Sequence, residues 1–542
     1  MNKSSSPMLG AVALALCLQF GSLSLAHAAA VGLPSKNVAW VAAASDADID
    51  RAFLRAKAEK KPVLLYWGAS WCPPCNQLKA TLFNRQDFAA LSRSFVAVSV
   101  DGDRPGAQKL GQRFKVSGYP TTVMFTPEGA EITRLPGEVD APQALAVLQQ
   151  GLAGGRPVKN VLDDALANKP LAAGDWRMLA FYSWETDETQ LVPKADVAGL
   201  LARLAAASGA VASPADADTT TRLWLKALAA ADDSKGVKPD AALRERVMKV
   251  LADATAARTH MDVLSNNAAE IVRTLEGADP AVGASPNRTA GVAALAAAFE
   301  TALKRFEADS TLSRADRLSA LIARVELARL DVPKTMAKVQ LPEPLLKDLR
   351  EHVARADREI TDGYERQAVI TAAGHALGRA GLWAESEALL TANLAKSHSP
   401  YYLMSQLASN ARKQGQNEQA LRWYGEAWAK SQGPATRLQW GNSYLTALVE
   451  LAPQDGARIE KTAAQMFTEA AKDRSAFEGR SARSLQRAGA KLLSWNAGGQ
   501  NAAALRRLQT QLDGVCGKLG KTDKADRAQQ AACTAVLKPA AT

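Results

Sequence analysis

A wholly apolar run at residues 62–67 (PVLLYW) leads, a few residues later, into the motif at residues 71–75 (WCPPC). A short run that is apolar at every position is typical of a strand buried on both faces of a sheet. Two cysteines separated by two residues at the start of the next helix can form a disulfide with little movement of the backbone. We therefore expect a sheet in which one strand leads directly to a cysteine pair at the start of a helix.

Helical and strand-like segments alternate along residues 46–152. Asp46 is suited to cap the first helix, because its side chain can accept a hydrogen bond from the backbone at a helix start. Strand-like runs lie at residues 62–67, 95–100, 121–125 and 131–135, and helical stretches at residues 72–82, 107–114 and 141–152. The turn at residues 127–130 (PEGA) makes the last two strands an antiparallel hairpin. This order predicts an α/β domain with a mixed central sheet and helices on both faces.

The chemistry expected of Cys72 and Cys75 is thiol–disulfide exchange. A helix N-terminus carries partial positive charge, which lowers the pKa of the first thiol below its free value of about 8.5 and makes Cys72 the nucleophile. Cys75 lies one turn deeper and is the expected resolving thiol. Half of a zinc site and a purely structural disulfide are the alternatives. The sequence disfavours zinc, since neither histidine nor cysteine occurs between Cys75 and His260.

Two segments resemble the thioredoxin superfamily, residues 67–75 (WGASWCPPC) and residues 118–121 (GYPT). They are similar in particular to periplasmic thioredoxin-like proteins and to the soluble C-terminal domain of Dsb-type electron relays. Further matches to that branch lie at residues 83–84, 95 and 100–101. The resemblance covers residues 46–150 and implies a thioredoxin-like fold.

The resemblance also implies roles for individual residues. In that family the proline that matches Pro120 follows a cis peptide bond and lies beside the reactive disulfide, where the neighbouring backbone pairs with an extended substrate. The resemblance implies that Cys72 attacks the partner disulfide and that Cys75 resolves the mixed disulfide. The implied substrate-binding residues are Trp71, Tyr119 and Pro120.

One position departs from the family's pattern. Many thioredoxins place a buried aspartate six residues before the first cysteine, where it helps to move the proton of the resolving thiol, and this chain has Tyr66 there. Tyrosine is a poor base near neutral pH because its unperturbed pKa is about 10. Asp101 and Asp103 follow the adjacent strand, but the sequence does not assign them that role. The rigid Pro-Pro pair at residues 73–74, with the resemblance to W-C-x-P-C proteins, favours a reducing or interchange role over that of a strong oxidant.

Beyond a glycine-rich linker near residues 151–157 the sequence is rich in alanine, the residue that most favours helix. Residues 153–345 are expected to form an Ala-rich helical region. Later a 34-residue period is visible, in which Gly374, Gly381, Ser386 and Leu390 recur as Ala408, Gly415, Ala420 and Tyr424. The period resembles the tetratricopeptide repeat, in which small residues let paired helices approach closely. Residues 346–542 are therefore predicted to form a tetratricopeptide-like region, and chance periodicity in an irregular helical array is the alternative.

Residues 1–28 have the pattern of a secretory signal peptide. Lys3 precedes an apolar run at residues 8–25, and residues 26–28 (AHA) form a small-x-small cleavage site. A membrane anchor is the alternative, but polar residues interrupt the run, which falls short of the roughly 20 apolar residues of a spanning helix. We therefore expect export to the periplasm, a thioredoxin-like domain at residues 29–152, and no integral membrane segment after signal cleavage.

After cleavage of the signal peptide, Cys516 and Cys533 are the second cysteine pair of the mature chain. They lie 17 residues apart in helical sequence, and a structural disulfide joining two antiparallel helices is expected in an oxidising compartment. The histidines after the signal peptide are scattered and form no ligand pattern, so neither a metal nor an organic cofactor is expected. The net charge of +11 is spread along the chain without a Lys/Arg run like that of a nucleic-acid-binding arm.

Together these features predict a thiol–disulfide oxidoreductase that acts on protein disulfides in the cell envelope. The helical region would recruit protein partners or position the domain, and another redox protein would exchange electrons with the cysteine pair. Nucleic acid is not expected as a partner. The rival hypothesis is a scaffold or binding protein whose helical array carries the function, with a thioredoxin-like module that is redox-inactive or only stabilised by its disulfide.

Overall fold

The computed structural model describes residues 34–116, 118–135, 137, 140–187, 190–211, 217–231, 236–276, 286–332, 336, 339–520 and 524–538. The predicted signal peptide at residues 1–28 lies outside these residues. Everything described belongs to one compact unit. Its N-terminal part, residues 41–152, contains a β-sheet flanked by helices and is called the sheet domain. The remainder, residues 158–538, is called the helical region.

The sheet domain is built on five strands in the order β1-β3-β2-β4-β5. The strands are β1 (Val41–Ala43), β2 (Val63–Gly68), β3 (Val96–Asp101), β4 (Thr121–Phe125) and β5 (Glu131–Leu135). The first three run parallel, and β4 and β5 are antiparallel to their neighbours. The predicted mixed sheet is confirmed, with its four expected strands shifted by at most one residue. Sequence reasoning misses β1, because three residues are too few to show a periodic pattern.

Helices cover both faces of the sheet. They are α1 (Asp46–Glu59), α2 (Pro73–Leu78), α3 (Gln86–Leu91), α4 (Ala107–Arg113) and α5 (Ala141–Leu152). A π-helical turn at Lys79–Phe83 continues α2. The cap of α1 is Ser45 rather than the expected Asp46. The Ser45 hydroxyl accepts a hydrogen bond from the Asp48 N–H, and the Asp48 carboxylate accepts one from the Ser45 N–H in return.

The two faces of the sheet belong to different hydrophobic cores. On one face Val63, Leu65 and Trp67 of β2 pack against α1 and α4. On the other face Leu64 and Tyr66 belong to a core that continues through α5 into the helical region. Strand side chains alternate between faces, so both sets are buried, as the fully apolar run predicts. The sheet domain and the helical region therefore share a core.

The helical region follows, and no strand occurs among its described residues. Its first part comprises α6 (Val158–Leu166), α7 (Ala173–Phe181), α8 (Val197–Val211), α9 (Ala217–Ala230), α10 (Ala241–Ala252), α11 (Ala254–Thr259), α12 (Met261–Asn266), α13 (Ala268–Glu276), α14 (Pro286–Ala308) and α15 (Arg314–Leu327). Its second part comprises α16 (Glu343–Glu359), α17 (Gly363–Arg379), α18 (Trp383–Asn393), α19 (Pro400–Lys413), α20 (Asn417–Lys430), α21 (Pro434–Leu451), α22 (Gly456–Ala470), α23 (Gly479–Trp495), α24 (Ala502–Cys516) and α25 (Lys524–Ala535). The predicted large helical region is thus confirmed.

The residues of the 34-residue period lie on, or in the turns between, the helices of two consecutive pairs, α17 with α18 and α19 with α20. In the first pair a Cβ atom on Gly374 would lie 2.5 Å from Leu390 Cδ2, so a side chain at this position would force the helices apart. The Ser386 hydroxyl donates a hydrogen bond to the Gly374 carbonyl at 2.7 Å. Small residues therefore permit this close approach, and membership of the tetratricopeptide class stays a proposal.

A disulfide between Cys516 and Cys533 joins α24 to α25. Apolar neighbours at helical spacing predict that Trp383, Trp423 and Trp428 are core residues; Trp423 and Trp428 are buried, and Trp383 is half-buried. Among the described residues no helix is both long enough and apolar enough to span a membrane.

Candidate active site

Cys72 and Cys75 form a disulfide at the N-terminus of α2. Cys72 occupies the N-cap position, and its sulfur accepts a hydrogen bond from the Cys75 N–H at 3.2 Å. Prolines fill the first two helical positions, where a missing N–H costs no helical hydrogen bond. Cys72 is thus the sulfur nearer the positive end of the helix, where a thiolate is stabilised.

The other predicted site residues lie at the same end of the sheet. The Tyr119–Pro120 peptide bond is cis, as the resemblance implies. The rings of Trp71 and Tyr119 are 6.2 Å apart, so the tertiary structure brings the two sequence motifs together. The second cysteine pair lies on α24 and α25 instead.

Asn76 is a site residue that sequence reasoning missed. Its side chain is fully buried, and its Nδ2 donates hydrogen bonds to the carbonyl oxygens of Ser70 and Cys72, each at 2.9 Å. These bonds fix the loop that carries the first cysteine onto the helix that carries the second. A polar residue one position after a C-x-x-C motif is the only signal for this role in the sequence.

The geometry of this site agrees with a family match. Residues 49–152 match the sequence profile of a family described as thioredoxin-like domain. The sheet domain is a thioredoxin-like domain. The matched residues include both cysteines, the cis-proline and four of the five strands.

Several known proteins are similar to this chain. It is 33% identical over 125 residues to the thiol:disulfide interchange protein DsbD 2 of Pseudomonas aeruginosa, a match that covers 22% of this chain and 21% of that protein. It is 30% identical over 114 residues to the thiol:disulfide interchange protein DsbD 1 of the same organism, covering 20% and 19%. The chain therefore spans about a fifth of the length of these relatives. A solved structure of a thioredoxin from Thermus thermophilus is 29% identical to this chain. The match covers 22% of this chain and 90% of that thioredoxin, with a TM-score of 0.20.

The helical region covers the cysteine pair of the thioredoxin-like domain. Cys72 is 2% exposed and Cys75 is 0% exposed. Both belong to a hydrophobic core made mainly by helices α18 to α25. Tyr402 of α19 stacks on Trp71, with ring centroids 5.7 Å apart and an angle of 16° between the ring planes. Sequence reasoning could not find this cover, because the residues that form it are more than 300 positions away from the motif.

Polar contacts extend the cover around the motif. A ring nitrogen of His398 lies 2.8 Å from the Ser70 carbonyl oxygen, and Gln77 of α2 donates to Asp316 of α15 at 3.0 Å. A cavity of about 400 Å³ lies between α2 and the helical region and is lined by Pro73 and Pro74, and neither cysteine is among its lining residues. In this structure the pair is therefore closed to a protein substrate.

Tyr66, which replaces the family's buried aspartate, cannot act as a base. Its hydroxyl is buried without a hydrogen-bond partner among the described residues, and burial raises its pKa above the ordinary value. Asp101 and Tyr364 are titratable groups whose charges act on Tyr66, and Asp101 lies opposite Gly68 in the β2–β3 pairing. Burial, and then the negative charge of Asp103, raises the pKa of Asp101 to about 6. The site therefore contains a carboxyl group that changes its charge near neutral pH.

This shift predicts how stability depends on pH. The pKa of Asp101 is about 6 in the folded protein against an ordinary value of 3.8, so the folded protein favours the protonated form. Its contribution to stability is full below about pH 4 and is lost as the pH rises through about 6, by at most about 3 kcal/mol. We expect Asp101→Asn to gain stability over the wild type progressively between pH 4 and pH 8, measured as free energy of unfolding in urea.

The exposed Asp196→Asn variant is the control for the change of residue type. A difference between Asp101→Asn and wild type that stays constant from pH 4 to pH 8 would contradict the prediction, because a residue that buries its charge must change stability where it titrates.

Proposed function

We propose that this protein is a thiol–disulfide oxidoreductase that acts on protein disulfides in the cell envelope, in the reducing or interchange direction. The observation that carries the proposal is the Cys72–Cys75 disulfide at the start of α2, on the same end of a thioredoxin-like domain as the cis Tyr119–Pro120 bond. The similarity to proteins named thiol:disulfide interchange proteins supports the same chemistry.

The proposed reaction begins with the reduced pair. The Cys72 thiolate attacks one sulfur of a partner disulfide, a mixed disulfide forms, and the partner's other sulfur leaves as a thiolate that takes up a proton. Cys75 then loses its proton and attacks the sulfur of Cys72, which releases the second partner sulfur. The partner gains two electrons and two protons, and the cysteine pair becomes a disulfide. A dithiol of another redox protein must reduce it again.

We further propose a function for each segment of the chain. Residues 1–28 direct export to the periplasm, residues 29–152 carry the chemistry, and residues 153–345 and 346–542 form helical regions that recruit partners or position the domain. Trp71, Tyr119 and Pro120 would contact the substrate. Residues 346–542 would be tetratricopeptide-like and be stabilised by the Cys516–Cys533 disulfide, and neither a metal nor an organic cofactor would take part.

The test of the direction is the reduction potential of the Cys72–Cys75 pair. It is measured by glutathione or dithiothreitol titration with thiol alkylation, in the protein with Cys516 and Cys533 replaced. We expect a value near that of thioredoxin, about −270 mV, as for a reductant that needs an electron donor. A value near about −120 mV would contradict the proposed direction, because it is that of a strong oxidant.

One observation favours the rival scaffold hypothesis. Both cysteines are buried beneath the helical region, as they would be in a disulfide that only stabilises the structure. The two hypotheses differ in thiol reactivity, since a scaffold would bind its partners equally well with both cysteines replaced by serine. A pair that resists reduction by dithiothreitol in the folded protein would support the scaffold.

A further inference from the structure

Two helices of the hydrophobic core that contains the cysteine pair, α21 and α23, receive their N-terminal caps from the thioredoxin-like domain. The first backbone N–H groups of a helix have no partner within the helix and need an acceptor from elsewhere. In both helices the residue at the N-cap position provides no side-chain hydrogen bond. The acceptors come instead from Asp103 and Gln108, two side chains of the thioredoxin-like domain.

Asp103 connects α21 to the residue before the first cysteine. Its carboxylate accepts hydrogen bonds from the Thr436 N–H at 3.0 Å and from the Thr436 hydroxyl at 2.6 Å. It also accepts one from the indole N–H of Trp71 at 2.6 Å. The same carboxylate therefore caps α21 and holds Trp71, an arrangement called here the Asp103 bridge.

Gln108 connects α23 to the residue before the cis-proline. Its Oε1 accepts a hydrogen bond from the Arg480 N–H at 2.8 Å, and its Nε2 donates to the Tyr119 hydroxyl at 3.0 Å. The Arg480 guanidinium lies 4.5 Å from the centroid of the Trp71 ring and 5.2 Å from that of Tyr119. This arrangement is called the Gln108 bridge.

Glycines let both bridges form. A Cβ atom on Gly433 would lie 2.6 Å from Asp103 Cβ, and one on Gly479 would lie 2.9 Å from Gln108 Oε1. Both glycines have positive φ angles, 84° and 50°, a conformation that other residues rarely adopt. The helix starts are thus shaped to bring their N–H groups up to the thioredoxin-like domain.

We propose that α19, α21 and α23 form a gate over the cysteine pair, and that the Asp103 and Gln108 bridges hold this gate closed. The inference rests on the proposed oxidoreductase function. The bridges end on Trp71 and Tyr119, the residues proposed to contact a protein substrate. The ring of Tyr402 stacks on that of Trp71. A protein disulfide reaches Cys72 only when these helices move away. A small reagent needs a smaller opening, so the gate selects by size.

The test compares two maleimides of the same chemistry and different size. Cys72 of the reduced full-length protein is alkylated with N-ethylmaleimide or with a maleimide carrying a polyethylene glycol of about 5 kDa, and the rates are followed by mass spectrometry of its peptide. The ratio of the small-reagent rate to the large-reagent rate is divided by the same ratio for glutathione. We expect this size discrimination to be about tenfold or more in the wild type.

The variants act on the helical side of the gate and leave the thioredoxin-like domain intact. Thr436→Val removes the hydroxyl of the Asp103 bridge, and Tyr402→Ala removes the ring over Trp71. Each should lower the size discrimination about fivefold, the shift in an equilibrium that loss of one hydrogen bond or one aromatic ring pair typically causes. Thr510→Val is the matched control, since the hydroxyl of the exposed Thr510 donates to the Arg506 carbonyl within its own helix.

The outcomes separate the gate from the proposed function. A wild-type protein that discriminates by size no more than glutathione does would overturn the gate, and this comparison needs no variant to fold. If the variants lose discrimination and also reduce insulin faster, the gate and the proposed function both stand. If they lose discrimination but still leave insulin disulfides intact, the gate stands and the oxidoreductase proposal fails.

Discussion

Replacing Cys72 by serine is expected to abolish the protein's contribution to insulin disulfide reduction, which leaves the background rate of dithiothreitol alone. The attacking group in disulfide exchange is a thiolate, and a serine hydroxyl near neutral pH is a far weaker nucleophile that cannot form the mixed disulfide. The assay follows the precipitation of reduced insulin. Cys72 lies at the N-terminus of α2, where the helix favours the ionised sulfur, so we expect the entire activity to depend on it.

Cys75→Ser is the matched variant, and it should stop the reaction at a later step than Cys72→Ser does. It keeps the attacking thiol and loses the resolving one, so a mixed disulfide between Cys72 and its partner should accumulate and survive non-reducing electrophoresis. Replacing both Cys516 and Cys533 by serine should leave insulin reduction in place. Activity that persists in Cys72→Ser would refute the assignment of the nucleophile.

Asp262→Ala is expected to lower the free energy of unfolding by about 3–5 kcal/mol, because it leaves a buried guanidinium without its carboxylate. Arg222 of α9 donates two hydrogen bonds to Asp262 of α12, at 2.9 and 2.5 Å, and the two side chains are 1% and 5% exposed. The Arg222 guanidinium also lies 3.9 Å from the centroid of the Phe181 ring. Urea unfolding followed by far-UV circular dichroism measures the effect.

A double variant tests whether the lost stability comes from the unpaired charge of Arg222 rather than from the absence of the ion pair. Arg222→Met with Asp262→Leu removes both charges, and it should recover most of the stability that Asp262→Ala loses, since apolar residues of similar volume often replace a buried ion pair without cost. Glu460→Ala removes one partner of an exposed ion pair with Arg507, and we expect no measurable change from it. A single variant as stable as the double variant would show that the charge of Arg222 is not trapped when Asp262 is lost.

The burial of the cysteine pair affects how the activity assays are interpreted. With Cys72 2% exposed, the wild-type protein can be slow towards insulin although its chemistry is intact. The size comparison with maleimides and the Cys72→Ser variant together distinguish slow access from absent chemistry. Measuring both on the same preparation therefore tests the proposed function without assuming that the helical region is open.

The sequence by itself determined the local chemistry of this protein. The apolar run before the motif predicted β2, and the turn at residues 127–130 predicted the β4–β5 hairpin, because strand burial and turn formation depend on residues close together in the chain. The same locality explains why the disulfide of Cys72 and Cys75 was expected, whereas the cis bond before Pro120 was implied by the resemblance to the thioredoxin superfamily.

Only the tertiary structure decided what surrounds the cysteine pair. Tyr402, Thr436 and Arg480 contact the motif region from more than 300 positions away, and nothing in their local sequence distinguishes them from residues of any other helix. The role of Asp103 is set in the same way, since a carboxylate after a strand becomes an N-terminal helix cap only when another helix begins beside it. The spacing of apolar residues indicates which face of a helix is buried. Which element packs against that face depends on packing over the whole chain.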